Sequence, residues 1–549
     1  MEEKSLSLFF LFFFCTLSFL FLVLDFFATI DHRISFCPLN TFYYKQTGDL
    51  SDLPLLLPLS CQEIWFWILQ AQYLSNDPSY LNCKSKECKE SEDGECLVHT
   101  CSGSISFHVV NIRTEIEFVF FTGGFDTPCI LKRAQPIGFS NPSSPLHAHL
   151  SSIDSTGTSM RVTWVSGDKS PQHVHYGGGS SATSKVSTFT NSDMCSGTLE
   201  SPAKDFGWHD PGFIHSAVMT GLKPSQTYSY RYGSDSVGWS DQIKFKTPPA
   251  AGSDELRFLA YGDMGKAPLD PSLEHYIQPG SLSVVKAMAD EVASGNVDSV
   301  FHIGDISYAT GFLAEWDFFL HLITPIASHV SYMTAIGNHE RLWRRVWSCF
   351  MRLTFKCQLL LRIKPWYSIE QASVHFTVMS TEHDWTENSE QYKWMKNDLA
   401  SVDRSRTPWV IFAGHRPMYS SQEGILPSVD SDFVKAVEPW IWSSSVMYIT
   451  TGLTCAVFDG ECKGMPTKDA DGIDTYDNSN YTAPVQAVIG MAGFSLDEFP
   501  DNVDNSWSLK RISEFGYARL HATKDDLKLE FVNAKTREVK DSFHLIRGN

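Results

Sequence analysis

Four apolar segments of this sequence, each about as long as a β-strand, end in a glycine followed by a side chain that can bind a metal ion or a proton. The segments are ELRFLAYGD, DSVFHIGD, SYMTAIGNH and PWVIFAGH. A single glycine–polar pair could serve only to turn the chain, but four such ends in one sequence favour a common site. The side chains at these ends belong to Asp263, Asp305, Tyr308, Asn338, His339 and His415.

These side chains form a hard, mixed oxygen and nitrogen donor set without the thiolates of a structural zinc site. One carboxylate can bridge two metal ions, and Asp305 is the central candidate for that role. A phenol ionises only beside a strongly acidic cation, and its hard anionic oxygen favours Fe(III) over a divalent ion. The residues therefore predict a dinuclear centre in which Asp305 bridges and Tyr308 marks one ion as ferric.

The elements that must position these residues alternate between strand and helix. Fully apolar strands are separated in places by helical stretches such as SLSVVKAMADEVASG and SEQYKWMKNDLASVD. This alternation predicts a layered α/β domain. In such sheets ligands bind at the carboxyl ends of the strands, so the four polar ends should converge on one edge.

A different pattern precedes this domain, from about His147 onward. Short runs such as SMRVTWVSG, TYSYRYGS and DQIKFKTPP are separated by Gly, Pro and Ser, which predicts an all-β sandwich. Tyr228 and Tyr230 stand just after a turn, as in the tyrosine corner of fibronectin-like sandwiches. A linker near Pro248–Ser253 separates the sandwich from the α/β domain.

The motifs GDMG, GDISY, GNHE and GHRP, in this order and behind a fibronectin-like sandwich, resemble those of the plant purple acid phosphatases, which are calcineurin-like metallophosphoesterases. The resemblance is to the large plant subgroup with an extra N-terminal β domain. It implies an α/β fold, with a layered metallophosphoesterase β-sandwich flanked by helices, preceded by an all-β fibronectin type III-like domain. The expected regions are a signal peptide or anchor (1–30), a cysteine-containing β region (31–140), the fibronectin III-like domain (141–249) and the metallophosphoesterase domain (250–549).

The resemblance also implies a role for each motif residue. The family hydrolyses small phosphate monoesters at acid pH with Fe(III) and a divalent ion, which is Zn, Mn or Fe(II). Two metals of this kind activate water and clamp the phosphate oxygens. Arg416 could contact the phosphate or form an ion pair. The implied assignments are Asp263 and Tyr308 on the ferric ion, Asp305 as the bridge, Asn338 and His415 on the second ion, and His339 as the group that contacts the phosphate or protonates the leaving alkoxide.

Composition and processing signals point to a secreted protein. The chain has 549 residues, 43% of them hydrophobic, and a net charge of −19, which disfavours a nucleic-acid partner. The apolar segment Ser5–Leu24 reads as a signal peptide or, alternatively, an uncleaved membrane anchor, and a homodimer is possible. Asn480, in the sequon NYT, is a candidate glycosylation site. The cysteines of one polar segment favour local disulfides over a zinc knuckle: Cys83, Cys88, Cys96 and Cys101.

One motif of the family is missing. Purple acid phosphatases carry Gly-His-x-His after the strand that ends in His415, but here the only later histidines are His521 and His544, in the last strands. Counting Asp305 twice, three protein ligands per ion remain, which is a poor dinuclear site. Two hypotheses follow: a secreted metallophosphoesterase, or a non-catalytic glycoprotein of the same fold. A carbohydrate- or protein-binding sandwich protein would leave the four strand ends unexplained.

The stretch SSSVMYITTGLTC lies where the missing motif is expected, and we predict that it is the motif translated in a wrong reading frame. Codons for Val446–Thr451, read one nucleotide earlier, can spell Gly-His-Val-His-Asn-Tyr. Met351–Gln358, shifted in the same way, can read Glu-Thr-Tyr-Phe-Gln-Met-Pro, close to a family segment. It lies in a basic, Trp-rich stretch that differs from the acidic loop of the family. The alternative is true divergence into a metal-poor relative.

Overall fold

The structure is a computed structural model of the chain. Several predictions concern residues outside the described ranges: the N-terminal segment 1–30, the four clustered cysteines and the basic stretch 342–364. Among the described residues, no helix combines the length and apolar character needed to cross a membrane. The described residues are 41–46, 70–71, 107–122, 129–190, 208–270, 272–273, 277–309, 312–341, 365–420, 429–443, 447–450, 452–496, 499 and 507–547.

The chain forms two compact units. The first comprises Met1–His108, Glu115–Ile137 and Asp270–His275, and the second comprises Val109–Thr114, Gly138–Leu269 and Tyr276–Asn549. The first unit contains the antiparallel sheet β1-β3-β4 and the separate pair β2-β15. Its strands, numbered in chain order with those of the second unit, are β1 (Thr41–Gln46), β2 (Gln70–Ala71), β3 (Ile116–Thr122), β4 (Cys129–Arg133) and β15 (Ser272–Leu273).

The second unit begins with a β-sandwich, as predicted. One sheet has the order β5-β6-β10-β9, and the other has the order β12-β11-β7-β8 with β13 beside β11. The two sheets enclose a core that includes Trp164, Tyr230 and Phe245. The Tyr228 hydroxyl accepts a hydrogen bond from the Lys223 N–H at 2.9 Å, which is the predicted tyrosine corner. The strands are β5 (Leu146–Ser152), β6 (Met160–Ser166), β7 (His173–Tyr176), β8 (Ser180–Thr183), β9 (Lys185–Ser187), β10 (Phe213–Met219), β11 (Thr227–Ser234), β12 (Gly238–Trp239) and β13 (Ile243–Lys246).

The rest of the second unit alternates strands and helices. Helix α3 starts at a serine cap: the Ser389 side chain accepts a hydrogen bond from the Tyr392 N–H at 3.0 Å. The helices described are α1 (Ser281–Ala293), α2 (Leu313–Ala327), α3 (Glu390–Ser401) and α4 (Ser431–Ser443). The strands are β14 (Leu256–Tyr261), β16 (Ser299–Ile303), β17 (Ser331–Ala335), β18 (Tyr367–Gln371), β19 (Val374–Val378), β20 (Trp409–Ala413), β21 (Met447–Thr450), β22 (Gly452–Phe458), β23 (Glu461–Gly464), β24 (Thr467–Lys468), β25 (Asp474–Asp477), β26 (Val485–Val488), β27 (Ser508–Lys510), β28 (Gly516–Ala522), β29 (Asp526–Asn533) and β30 (Val539–Ile546).

Two large sheets pack face to face in this part. The first has the order β24-β25-β30-β29-β28-β14-β16-β17 and continues into β5-β6-β10-β9 of the sandwich, because Leu150 of β5 pairs with Ser331 of β17. The second has the order β18-β19-β20-β21-β26-β22-β23. Their facing side chains form one core, in which the rings of Phe301 and Phe376 lie 4.1 Å apart between centroids.

Helices cover the outer faces of both sheets. Side chains of α1 and α2 pack on the first sheet, and side chains of α3 and α4 pack on the second. Every residue of β16, β17, β19 and β20 is buried, as expected for parallel strands covered on both faces. The predicted fold class, a layered α/β domain behind an all-β domain, is therefore confirmed.

Candidate metal centre

The parallel strands of the two sheets end at one shared edge. β14, β16 and β17 run parallel in the first sheet, and β19, β20, β21 and β26 run parallel in the second. Direct hydrogen bonds join the two sets of strand ends. The Gly262 N–H donates to the Ile489 carbonyl at 2.9 Å, and His415 Nδ1 lies 3.2 Å from the Ile303 carbonyl oxygen.

The backbone at this edge is held in an uncommon conformation. Asp263, Asp305 and Tyr308 have φ angles of 57°, 47° and 52°, in the left-handed region that side chains other than glycine rarely adopt. Each such residue costs on the order of 1–2 kcal/mol, so surrounding contacts must hold it. For Asp263 these include its N–H, which donates to the Gly304 carbonyl at 3.2 Å, and its carbonyl, which accepts from the Phe494 N–H at 2.9 Å.

The structure brings all five predicted metal-binding side chains together. One donor atom each from Asp263, Asp305 and His415 lies within 4.8 Å of the other two. His415 Nε2 is 3.3 Å from Asp305 Oδ1 and 2.9 Å from Asn338 Oδ1. The Tyr308 hydroxyl donates to Asp263 Oδ1 at 3.0 Å. Asp305 thus lies near both the Asp263–Tyr308 pair and the Asn338–His415 pair.

His339 borders the same cluster. Its backbone N–H donates to Asp305 Oδ1 at 2.7 Å, and its Nε2 lies 3.9 Å from Asp305 Oδ2. Its ring is 4.4 Å from that of Tyr308 between centroids, and 22% of the side chain stays exposed. All six predicted residues line one cleft with a volume of about 390 Å³.

Two glycines make this close approach possible. A Cβ atom at Gly304 would lie 2.4 Å from His415 Nδ1, and a Cβ atom at Gly337 would lie 2.2 Å from Asp305 Oδ1. Either distance is well inside van der Waals contact. Gly304 also has a φ of +82°, which glycine adopts without strain. Both glycines therefore allow the ligand side chains to approach the neighbouring backbone.

The charges of the cluster are strongly coupled. Burial raises the pKa of the Asp305 carboxyl, but His415 and His339 outweigh burial and hold that pKa at about 2. Burial lowers the pKa of His415, but Asp305 and Asp263 outweigh burial and raise it to about 10. Burial also lowers the pKa of His339, against the opposing effect of Asp305. The carboxylates thus create a negative potential that a His415 proton balances and that a bound cation could balance instead.

The donor set offers three protein ligands for each of two metal ions, counting Asp305 twice, which is only part of a dinuclear site. Strand β21 runs between β20 and β26, with Met447 opposite Ile411 and Thr450 opposite Val488. Its carboxyl end therefore reaches the edge that holds His415. The family motif Gly-His-x-His is expected at Val446–Thr451, a segment that overlaps β21, but this segment carries no imidazole.

Glu340 is a site residue that our sequence analysis did not identify. Its Oε1 accepts the Ile306 N–H at 2.7 Å and its Oε2 accepts the Gly337 N–H at 2.8 Å. Burial, reinforced by the charge of Asp305, raises its pKa to about 8. The signal was present, because an acidic residue directly follows the Asn-His pair in GNHE.

Phe494 was missed as well. Its ring stacks on that of Tyr308 with 4.7 Å between centroids and 12° between planes, and it lines the cleft. Phe494 follows β26, far from Tyr308 in the sequence, and no local pattern marks it.

The structure also describes the surroundings of Arg416, of the sequon asparagine and of two cysteines. Arg416 lines the cleft and forms an ion pair with the buried Glu382, with Nε 2.5 Å from Oε1, so the ion-pair alternative holds in this structure. Asn480, the sequon asparagine, ends a short 3₁₀ turn, Asn478–Asn480, after β25. Cys455 and Cys462 form a disulfide that our sequence analysis did not predict.

Comparisons with known proteins agree with this architecture. Four family models match the chain in succession: "Fn3-like domain from Purple Acid Phosphatase" at residues 48–141, "Purple acid Phosphatase, N-terminal domain" at 145–247, "Calcineurin-like phosphoesterase" at 256–439 and "Iron/zinc purple acid phosphatase-like protein C" at 483–542. The four models follow one another in the same order as the N-terminal β region, the β-sandwich, the α/β domain and the last strands of the chain.

Individual proteins agree too. The chain is 33% identical over 518 residues to "Probable inactive purple acid phosphatase 27" of Arabidopsis thaliana, covering 84% of this chain and 82% of the relative. It is 29% identical over 372 residues to "Purple acid phosphatase 18" of the same plant, covering 66% and 75%. The solved structure of a purple acid phosphatase from yellow lupin (Lupinus luteus) seeds superposes with a TM-score of 0.77 at 29% identity, covering 93% of this chain and 91% of that one. On this domain order and these similarities, the chain belongs to the purple acid phosphatase family.

Proposed function

We propose that this protein hydrolyses phosphate monoesters at acid pH with a centre of Fe(III) and a divalent ion, Zn, Mn or Fe(II). Members of the family are phosphatases that use a dinuclear metal centre. The observation that carries the proposal is the cluster in which Asp305 lies close to both the Asp263–Tyr308 pair and the Asn338–His415 pair. Five donors of this chemistry at one cleft have no evident purpose in packing alone.

On this proposal, Asp263 and Tyr308 would hold the ferric ion, Asn338 and His415 would hold the divalent ion, and Asp305 would contribute to both. The bound ions would supply the charge that attracts and polarises a phosphate and acidifies a water molecule. The phenol of Tyr308 already has a carboxylate neighbour, Asp263, at 3.0 Å.

The other cleft residues act on the ester itself. His339 keeps part of its ring exposed to the cleft and can hydrogen-bond a phosphate oxygen or give a proton to the departing alkoxide. Arg416 is oriented by two contacts with Glu382, Nε to Oε1 at 2.5 Å and one terminal guanidinium nitrogen to Oε2 at 3.1 Å. Because Glu382 compensates the charge of Arg416, the positive charge at this cleft, in a chain whose net charge is −19, would come chiefly from the bound ions.

A second candidate is a non-catalytic glycoprotein with the same fold. The observation that favours it is the segment around β21, which pairs with β20 beside the metal edge but lacks the two histidines of the family motif. Several curated relatives are themselves named "Probable inactive purple acid phosphatase". Three protein ligands per ion would leave metal binding weak and the ester uncleaved.

One experiment separates the two candidates. The purified chain and a version with six substitutions, Val446→Gly, Met447→His, Tyr448→Val, Ile449→His, Thr450→Asn and Thr451→Tyr, are compared for metal content, visible absorption and hydrolysis of p-nitrophenyl phosphate at acid pH. On the reading-frame hypothesis the second version represents the native product that the proposal describes, so we expect weak metal binding and little activity in the first and a gain of both in the second. No gain in the substituted chain would favour the non-catalytic protein.

Transcript sequencing tests the reading-frame explanation by itself. Our hypothesis requires GUC as the codon for Val446 and UAC as the codon for Tyr448, because only these bases restore two histidine codons in the shifted frame. Any other codon at either position would mean that the divergence is real.

We further propose that the protein enters the secretory pathway, carries a glycan at Asn480 and acts as a secreted enzyme on small phosphate esters, without a nucleic-acid partner. The apolar segment Ser5–Leu24 and the sequon support this placement. A membrane-anchored form and a homodimer are the alternatives to test. These proposals are tested on the protein purified from its native tissue. A mass shift on treatment with an N-glycosidase tests the glycan, N-terminal sequencing tests whether the apolar segment is cleaved, and sedimentation tests the homodimer.

A further inference from the structure

The side chain of Glu340 connects the two loops that carry most of the candidate metal ligands. One carboxylate oxygen accepts the Ile306 N–H at 2.7 Å and the other accepts the Gly337 N–H at 2.8 Å. Ile306 directly follows Asp305 at the end of β16, and Gly337 directly precedes Asn338 at the end of β17. One side chain therefore spans both strand ends.

The side chain of Glu340 is buried. The residue is 2% exposed, and within the described part of the chain no Lys, Arg or His side chain forms an ion pair with it. A buried carboxylate is costly unless hydrogen bonds satisfy it, and here two backbone N–H groups do so. Both N–H groups in turn need a buried acceptor.

The loops that Glu340 connects also touch each other directly, with little space to spare. The His339 N–H donates to Asp305 Oδ1 at 2.7 Å. A Cβ atom at Gly337 would lie 2.2 Å from that same oxygen. A small displacement of either loop would therefore move Asp305 relative to Asn338.

We propose that Glu340 is a positioning residue that sets the spacing between Asp305 and the Asn338–His339 pair, and thereby the affinity of the site for its second metal ion. The predicted effect on metal affinity rests on the proposed metal centre. The positioning of the two loops by Glu340 is a property of the metal-free chain and can be tested without metal. Groups that orient metal ligands typically change metal affinity by 10- to 100-fold when they are replaced.

The two hydrogen bonds require two acceptor oxygens at this distance from the backbone. In Glu340→Gln, the amide has only one acceptor oxygen. Its NH₂ group would face either the Ile306 N–H or the Gly337 N–H, and because both groups are donors, that hydrogen bond would be lost. Aspartate keeps both acceptor oxygens but is one methylene shorter, and it cannot keep both hydrogen bonds at their present lengths. The proposal therefore predicts that Glu340→Gln is the more severe change and Glu340→Asp the milder one.

A matched control is Glu438, on α4. It is 4% exposed, and its carboxylate accepts hydrogen bonds from the Tyr419 hydroxyl and from the Asp459 N–H. Glu438→Gln also replaces a buried carboxylate that accepts a backbone N–H, but the hydrogen bonds it affects are not in the two ligand loops. It reports what a general loss of stability does to metal binding.

The test uses the full chain and its three variants in two measurements. Hydrogen exchange of the metal-free proteins, followed by mass spectrometry, reports on the Ile306 and Gly337 amides. Titration with Zn²⁺ against a chromophoric chelator reports on metal affinity. We expect faster exchange at both amides and roughly 10- to 100-fold weaker zinc binding in Glu340→Gln, a smaller change in Glu340→Asp, and wild-type values of both in Glu438→Gln.

Unchanged exchange at both amides in Glu340→Gln would overturn the proposal, and so would equal losses of zinc affinity in Glu340→Gln and Glu438→Gln. If the unmodified chain binds no zinc, the proposed function fails for this chain, and the exchange rates alone decide whether Glu340 holds the two loops.

Discussion

Gly304 lies between the end of β16 and Asp305. Replacing Gly304 with alanine tests how closely the His415 side chain packs against this glycine. The added Cβ atom would lie 2.4 Å from His415 Nδ1, 2.5 Å from its Cγ and 2.6 Å from its Cβ. The Cβ and Cγ atoms lie where the His415 side chain joins the backbone, so rotation of the imidazole ring about the Cβ–Cγ bond cannot relieve the collision. The ring would have to shift, and its contact with the Ile303 carbonyl at 3.2 Å would be lost.

The size of the effect follows from two contributions. Alanine at a φ of +82° costs about 1–2 kcal/mol, partly offset by about 0.4–1 kcal/mol from the lower entropy of the unfolded chain. Forcing an extra carbon into a packed site costs a further ~1–3 kcal/mol. We therefore expect Gly304→Ala to lower the free energy of unfolding by about 1–4 kcal/mol.

Gly295 provides a matched control. It has a φ of +81°, but a Cβ atom there would meet nothing within 4 Å. Gly295→Ala thus carries the same backbone penalty without the collision. The difference in free energy of unfolding between the two variants, from urea unfolding followed by tryptophan fluorescence, should be about 1–3 kcal/mol, which is the cost of overpacking. Equal losses in the two variants would refute the placement of His415 against Gly304.

Four further predictions concern charge and chemistry. In an active form of the protein, Asp305→Asn removes the bridging charge, so metal analysis should no longer find both ions at the centre; a variant that retains both ions and full activity would contradict the bridging role. Tyr308→Phe should abolish the visible absorption band and leave the circular dichroism unchanged, and an unaltered absorption spectrum would exclude Tyr308 as the chromophore. His339→Ala should lower kcat of the active form by roughly 10²–10⁴ with the metals retained, whereas loss of metal would make His339 a ligand. Burial lowers the pKa of His147 from 6.5 to about 3, so as the pH falls the unfolded chain takes up a proton on this histidine at a higher pH than the folded chain does. The free energy of unfolding should therefore fall as the pH falls from 6.5 towards 3. His147→Asn should make the melting temperature less dependent on pH in this range, and an equally steep dependence in the variant would contradict the prediction.

Much of the site could be predicted because each candidate ligand stands at a strand end. An apolar run that stops at Gly-Asp or Gly-His marks the carboxyl end of a buried strand, and parallel strands deliver such ends to one edge. This is how Asp263, Asp305 and His415 were identified before their distances were known. Tyr228 was recognised for a similar reason, since the tyrosine corner depends on a local turn.

Glu340 and Phe494 could not be assigned in this way. The role of Glu340 depends on two backbone N–H groups, of which that of Ile306 belongs to a different strand end. Phe494 reaches Tyr308 only because the segment after β26 in the second sheet crosses to the end of β14 in the first. Such contacts arise between distant segments and leave no periodic pattern.

The sequence by itself determined the donor chemistry, the alternation of strands and helices, and the absence of the last histidine pair, because these depend on residue type and local spacing. The tertiary structure decided how the donors are arranged near Asp305, and that the first sheet of the α/β domain continues into the sandwich through the pairing of Leu150 with Ser331. It also decided the left-handed backbone at Asp263, Asp305 and Tyr308. A strained φ and a shared sheet edge persist only where packing from several distant segments holds them, so they appear only when the whole chain has folded.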